Sequence, residues 1–162
     1  MRFVEGMATV EDVDAFVAAV GAVADETGAT VQVFDARYVV SETHLRRAVE
    51  LADRAIERGE NVARDRAVEI LLYAAGRRQI DDALAMGVSA GETPVVAVVD
   101  GGDESEAAAR LRDLFAPRQT LGRYDEERVG EFFDVTDAEL ATVDGDIERL
   151  VCERVALLNV EK

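Results

Sequence analysis

A chain of 162 residues, 49% of them hydrophobic, is long enough to bury one core as a single domain and too apolar to stay disordered. One cysteine excludes a disulfide framework, and no apolar run approaches the roughly 20 residues of a membrane span. The start, MRFVEGMATVED, has no basic stretch before an apolar run, so no signal peptide is read and a cytoplasmic location is expected.

The net charge is −16, and 17 of the 18 basic residues are arginine, with Lys162 the one lysine. Acid excess with almost no lysine suits a high-salt cytoplasm, where carboxylates hold a hydrated surface and salt screens their repulsion. The charge is unevenly spread: residues 1–36 carry −6, residues 37–79 carry +2 and residues 80–162 carry −12.

In chain order, residues 2–5 read as a short edge strand. Thr9 reads as a helix cap with Asp12 three positions on, and Val13, Phe16, Val17, Val20 and Ala24 give an apolar stripe over about 10–26, stopped at Gly28. Residues 30–36 alternate as a strand, which Tyr38–Val40 extends or follows with a second short one. Ser41 caps a helix with Leu45, Ala48, Val49, Ala52 and Ile56 inward, ending at Gly59. A helix over 63–75 ends at Gly76, and a short one follows at 80–86. TPVVAVVD, residues 93–100, is a buried strand. Residues 103–115 form an amphipathic helix with Ala107, Leu111, Leu114 and Phe115 inward. Gln119–Leu121 reads as a short strand, 126–133, 136–141 and 146–155 as helices, and 156–160 as a final strand. The fold class is α/β (α+β): one domain, residues 1–162, with a small mixed sheet packed with several helices.

The chemistry that is missing narrows the function. Neither common phosphate loop nor a kinase signature occurs. One histidine and one cysteine cannot assemble an ordinary zinc site. Cys152 lies on the apolar side of its helix and reads as an inert core thiol. His44, without a partner for a triad, reads as a helix-end or surface residue. Pairs such as Asp81 and Asp82, or Asp125 to Glu127, are expected of a chain with 34 acids. The acids of the turn at 100–105 would repel a phosphate. No catalytic residue, metal or cofactor is assigned.

One segment stands apart: NVARDRAVEILLYAAGRRQIDDAL, Asn61 to Leu84, balances its charges and gathers Arg64, Arg66, Arg77 and Arg78 about a helix and turn. At 100° per residue, Arg66, Ile70, Tyr73 and Arg77 share a stripe, while Val68, Leu71, Leu72 and Ala75 lie elsewhere and form the core face. Two guanidiniums around an aromatic ring can stack a nucleobase and hold its phosphate. Gly76 permits a sharp turn that displays Arg78 and Gln79 before the next helix. The same spacing also reads as core for Ile70 and Tyr73, with the arginines paired to Asp65, Glu69, Asp81 and Asp82.

The run Asn61, Glu69, Leu72, Ala75, Gly76, Arg78, Gln79, Ile80 and Ala83, with Ser41, His44 and Ala48 before it, resembles the kinase-binding subunits of the KEOPS complex, also called PRPK-binding or CGI-type proteins. The match is strongest over residues 31–99, and the composition suits a halophilic archaeal member. The resemblance implies a non-catalytic subunit that docks on a small atypical kinase/ATPase in the synthesis of threonylcarbamoyl-adenosine on tRNA and recruits tRNA by its single-stranded 3′-CCA end. On that reading Asn61, Arg64, Arg66, Tyr73, Gly76, Arg77, Arg78 and Gln79 meet the tRNA, with His44 and Arg47 nearby. Ile80, Leu84 and Met86 meet the kinase, unless they are plain core. Two other readings stand beside it: a kinase-docking regulator without RNA contact, and a small α/β enzyme acting on an anionic metabolite.

Overall fold

The computed structural model describes residues 1–161. Strands β1 (Arg2–Val10), β2 (Thr30–Asp35), β3 (Gly91–Asp100) and β4 (Ala116–Pro117) form one sheet in the order β2-β3-β1-β4. Every pairing is antiparallel, so the sheet is not mixed, although the α/β (α+β) class holds.

The apolar run of β3 dictates the layers. Val95, Ala97 and Val99 point to one face and Val96 and Val98 to the other, all without exposed surface. A strand apolar on both sides needs cover on both. On the first face lie α1 (Val13–Thr27) and α5 (Glu104–Leu114), packed through Val20, Val23, Ala107 and Leu111. On the second lie α2 (Glu42–Arg58), α3 (Arg66–Ala75) and α8 (Ile147–Glu161). Single-turn α4 (Ile80–Ala83), α6 (Glu126–Phe132) and α7 (Asp137–Thr142) fill the margins. No helix among the described residues is long and apolar enough to cross a membrane.

Five local expectations are corrected. The first strand runs nine residues, to Val10, and lies inside the sheet between β3 and β4. Thr9 belongs to it, and Asp12 caps α1 by accepting the Ala15 N–H at 3.1 Å. Tyr38–Val40 does not continue β2; Asp35 accepts the Arg37 N–H at 3.0 Å and starts a 3-10 turn over Ala36–Tyr38. Gln119–Leu121 is not a strand, because the Thr120 and Leu121 N–H groups donate to the Glu5 carboxylate at 2.8 and 2.7 Å; the strand is Ala116–Pro117. Residues 156–160 continue α8. Buried Val151, Val155 and Leu158 follow one another at spacings of four and three, and that helical period decides a short apolar run which also suits a strand.

β1 approaches α5 closely at Gly6. A Cβ there would lie 2.6 Å from Phe115 Cβ and 2.8 Å from the Ala116 oxygen. Gly6→Val is therefore expected to cost about 1–3 kcal/mol through overpacking, read as a lower urea midpoint.

α2 and α3 are joined by His44, which is fully buried. Its Nδ1 accepts the Val40 N–H at 3.3 Å, so the proton sits on Nε2, which donates to the Ala74 carbonyl at 2.8 Å. His44 is thus a buried joint, not a surface residue. Burial pushes its pKa down from 6.5 to about 4, opposed in part by the Ala74 hydrogen bond. The unfolded chain takes up a proton near pH 6.5 that the native chain refuses. Stability is full above that pH and declines as pH falls towards 4. Between pH 7.5 and 5 the wild type should lose about 2 kcal/mol more than His44→Gln. Equal slopes in urea titrations of the two proteins would contradict this.

Candidate functional site

The segment before α3 is built around a carboxylate. Glu69 is fully buried in the first turn of α3 and accepts the Val62 N–H at 3.1 Å and the Ala63 N–H at 3.2 Å. Asn61 donates its side-chain amide to the Ala63 carbonyl at 2.8 Å, and Asp65 caps α3 through the Ala67 N–H at 2.8 Å. The loop is therefore fixed from inside, with Arg64 exposed on its outer side and Asn61 half-buried.

The arginine–aromatic stripe does not form a surface. All seven residues from Glu69 to Ala75 are buried, with Ile70 and Tyr73 at 0% exposure. A helix covered all round has no outer face, so Tyr73 presents no ring for a base to stack on. Arg66 is tied down by a fork to Asp53 (Nε–Oδ1 2.8 Å, Nη2–Oδ2 2.9 Å) and by a 2.6 Å bond to Asp100. The Asp53 bond and, behind it, Asp100 hold its pKa above the ordinary arginine value against the cost of burial. Arg77 donates to the Phe132 carbonyl, with its guanidinium 4.4 Å from the centre of the Phe132 ring. These two arginines serve the framework. Their partners come from α2, β3 and α6, remote in sequence from the acids flanking the motif.

The turn after α3 is a different matter. Gly76 adopts φ 62°, caps α3, and sits so close to α8 that a Cβ would lie 3.3 Å from the Arg154 carbonyl oxygen. The chain then leaves the core, and Arg78 and Gln79 are exposed. Neither Arg64 nor Arg78 makes an ion pair among the described residues. Arg47 pairs with Glu50 at 3.1 Å.

The three apolar residues expected to meet a partner divide two to one. Ile80 is 42% and Leu84 53% exposed, on adjoining turns. Met86 has no exposure, because the 3-10 turn Leu84–Met86 swings it into the core beneath α3, and it offers nothing to a partner.

Neither His44 nor Cys152 is presented as a base or nucleophile. His44 is buried on two backbone partners, and burial pushes the half-buried Cys152 thiol up, away from the reactive thiolate. No group of three or more metal-ligating side chains is gathered among the described residues. Reasoning from sequence misses Asp53, Asp100 and Phe132 as the holders of the arginines. Only a strand and helix arrangement brings them near, and no local spacing signals it.

No curated protein matches the chain significantly. A family model described as kinase binding protein CGI-121 matches residues 10–159, which takes in every element from the last residue of β1 to α8. With a match over most of its length, the chain belongs to the CGI-121 family of kinase-binding proteins.

Proposed function

We propose that this protein is a non-catalytic accessory subunit of the KEOPS complex, acting in threonylcarbamoyl-adenosine synthesis by docking on the small kinase/ATPase and bringing the single-stranded 3′-CCA end of tRNA to it. The observation that carries the reading is the family match over residues 10–159. Exposed Ile80 and Leu84 are the apolar contacts for the kinase. The fixed loop at Asn61–Arg64 and the turn at Gly76–Gln79 supply the RNA contacts through Arg64, Arg78 and Gln79. Two guanidiniums and an amide on rigid backbone fit a site that works in high salt by shaped hydrogen bonds, since bulk attraction to phosphate is weak there.

A second reading has its own support: kinase docking without RNA. Arg66 and Arg77 are held internally and Tyr73 is buried, so half the expected arginines and the aromatic platform are not offered to a ligand.

Binding of a CCA-ended tRNA, against the same tRNA lacking CCA, separates the two. Arg64→Glu with Arg78→Glu is expected to weaken CCA-dependent binding by about tenfold or more, with the thermal midpoint unchanged. Arg77→Met should do the reverse, costing about 1 kcal/mol of stability with little change in RNA affinity. RNA affinity unchanged in the double variant would leave the protein-only reading standing.

A further inference from the structure

Helix α1 leaves its apolar stripe half covered. Of its residues only Val20 and Val23 are buried, while Val17 is 56% exposed. The stripe faces a groove of about 700 Å³ whose far wall holds Val68, Leu71, Ile80 and Leu84. Its floor is the chain from Ala29 to Val33, mostly β2.

Three observations describe what the groove accepts. First, β2 is an edge strand, paired with β3 along one side only. In an antiparallel ladder, alternate residues aim their N–H and C=O groups away from the partner. Among the described residues, no other backbone hydrogen bond reaches residues 30–34, and Gln32 donates its side-chain amide to the Val33 carbonyl at 3.2 Å. Second, Gly21 stands in the middle of α1 on the groove wall, where a Cβ would meet nothing within 4 Å. Glycine is unfavourable inside a helix, and neither packing nor backbone conformation requires it here; its effect is to keep the wall flat. Third, Asp25 and Asp65 line the groove and no basic residue does, while Asp81 and Asp82 are exposed beside Ile80.

We infer that the groove takes an extended segment of the partner kinase, apolar along its inward face and bearing lysine or arginine, which adds as a fifth strand to the free edge of β2. The inference rests on the kinase-docking reading and specifies the surface and mode of that contact. Backbone pairing supplies affinity, and the walls select apolar side chains at alternate positions. An RNA strand would meet acids and no cation. A second copy of this chain, itself at −16, would set acidic rims against each other.

The test uses the full chain and the purified small kinase of the source organism. Gly21→Trp should fold normally by circular dichroism and weaken kinase binding by about tenfold or more, as expected when a central contact is blocked; Gly21→Ala should bind as wild type. Val17→Lys, at an exposed site, should also weaken binding by setting like charge against the segment, and it keeps the test alive if the tryptophan variant misfolds. In hydrogen–deuterium exchange, amides at 30–34 should slow in the complex. Wild-type affinity in both groove variants overturns the groove as the docking surface while leaving kinase docking intact. Weakened binding without slower exchange at 30–34 overturns strand addition. Tighter binding by Val17→Lys overturns the basic character of the segment. Failure of the wild-type chain to bind the kinase overturns this inference together with the docking reading.

Discussion

The burial of α3 from Glu69 to Ala75 is the constraint from which the site follows. Seven consecutive residues without a solvent face place one short helix at the junction of α2, β2, α4 and α8. Such a helix must satisfy its ends and its few polar groups through its neighbours. Glu69 does so at the start, gathering the N–H groups of the preceding loop. His44 does so near the end, through the Ala74 carbonyl. Arg66 and Arg77 bracket the helix and bind outward to Asp53, Asp100 and Phe132. Among the described residues, no buried side-chain nitrogen or oxygen lacks a hydrogen-bond partner. Within residues 61–84, the segments left outside this framework are the loop at 61–64 and the turn at 76–80, which the proposed function assigns to RNA.

The arginine-for-lysine composition takes on a second meaning in this light. Arg66 on Asp53 and Arg37 on Asp35 each use two nitrogens of the planar fork on two carboxylate oxygens, and Arg154 binds both the Glu139 carboxylate and the Phe133 and Asp134 carbonyls. A lysine ammonium cannot reproduce that geometry. Exposed pairs such as Arg46–Glu42 and Arg54–Glu50 contribute little by comparison. Arg66 on Asp53 ties α3 to α2 and Arg154 on Glu139 ties α8 to α7, while Arg37 on Asp35 is a local contact; short directional bonds of this kind suffer less from salt than diffuse attraction does.

Much of this was legible in the amino-acid order because the signals are local. The β3 run, the Ser41 and Gly59 limits of α2 and the Gly76 turn each follow from residues within a few positions of one another. The errors share a physical origin. Periodicity places Arg66, Ile70, Tyr73 and Arg77 on one face, but whether a face is wet depends on what the rest of the chain lays over it, and here α2, α8 and β2 leave no outer side. The α1 stripe errs in the opposite sense: it has the spacing of a core face, yet the sheet ends at β2 and leaves Val17 uncovered. Residues 156–160 suit strand or helix equally by composition, and only packing in phase with Val151 and Val155 decides. His44 carries no local sign of burial, because its partners, Val40 and Ala74, are backbone groups.

The central claim is a division of labour among arginines: Arg66 and Arg77 hold the helix, while Arg64 and Arg78 face the ligand. Arginine side-chain Nε–H signals, followed by NMR while a single-stranded RNA ending in CCA is titrated in, test it directly. The account predicts shifts at Arg64 and Arg78, with Arg66 and Arg77 unmoved. Shifts at Arg66 or Arg77, or at the Tyr73 ring, would contradict it.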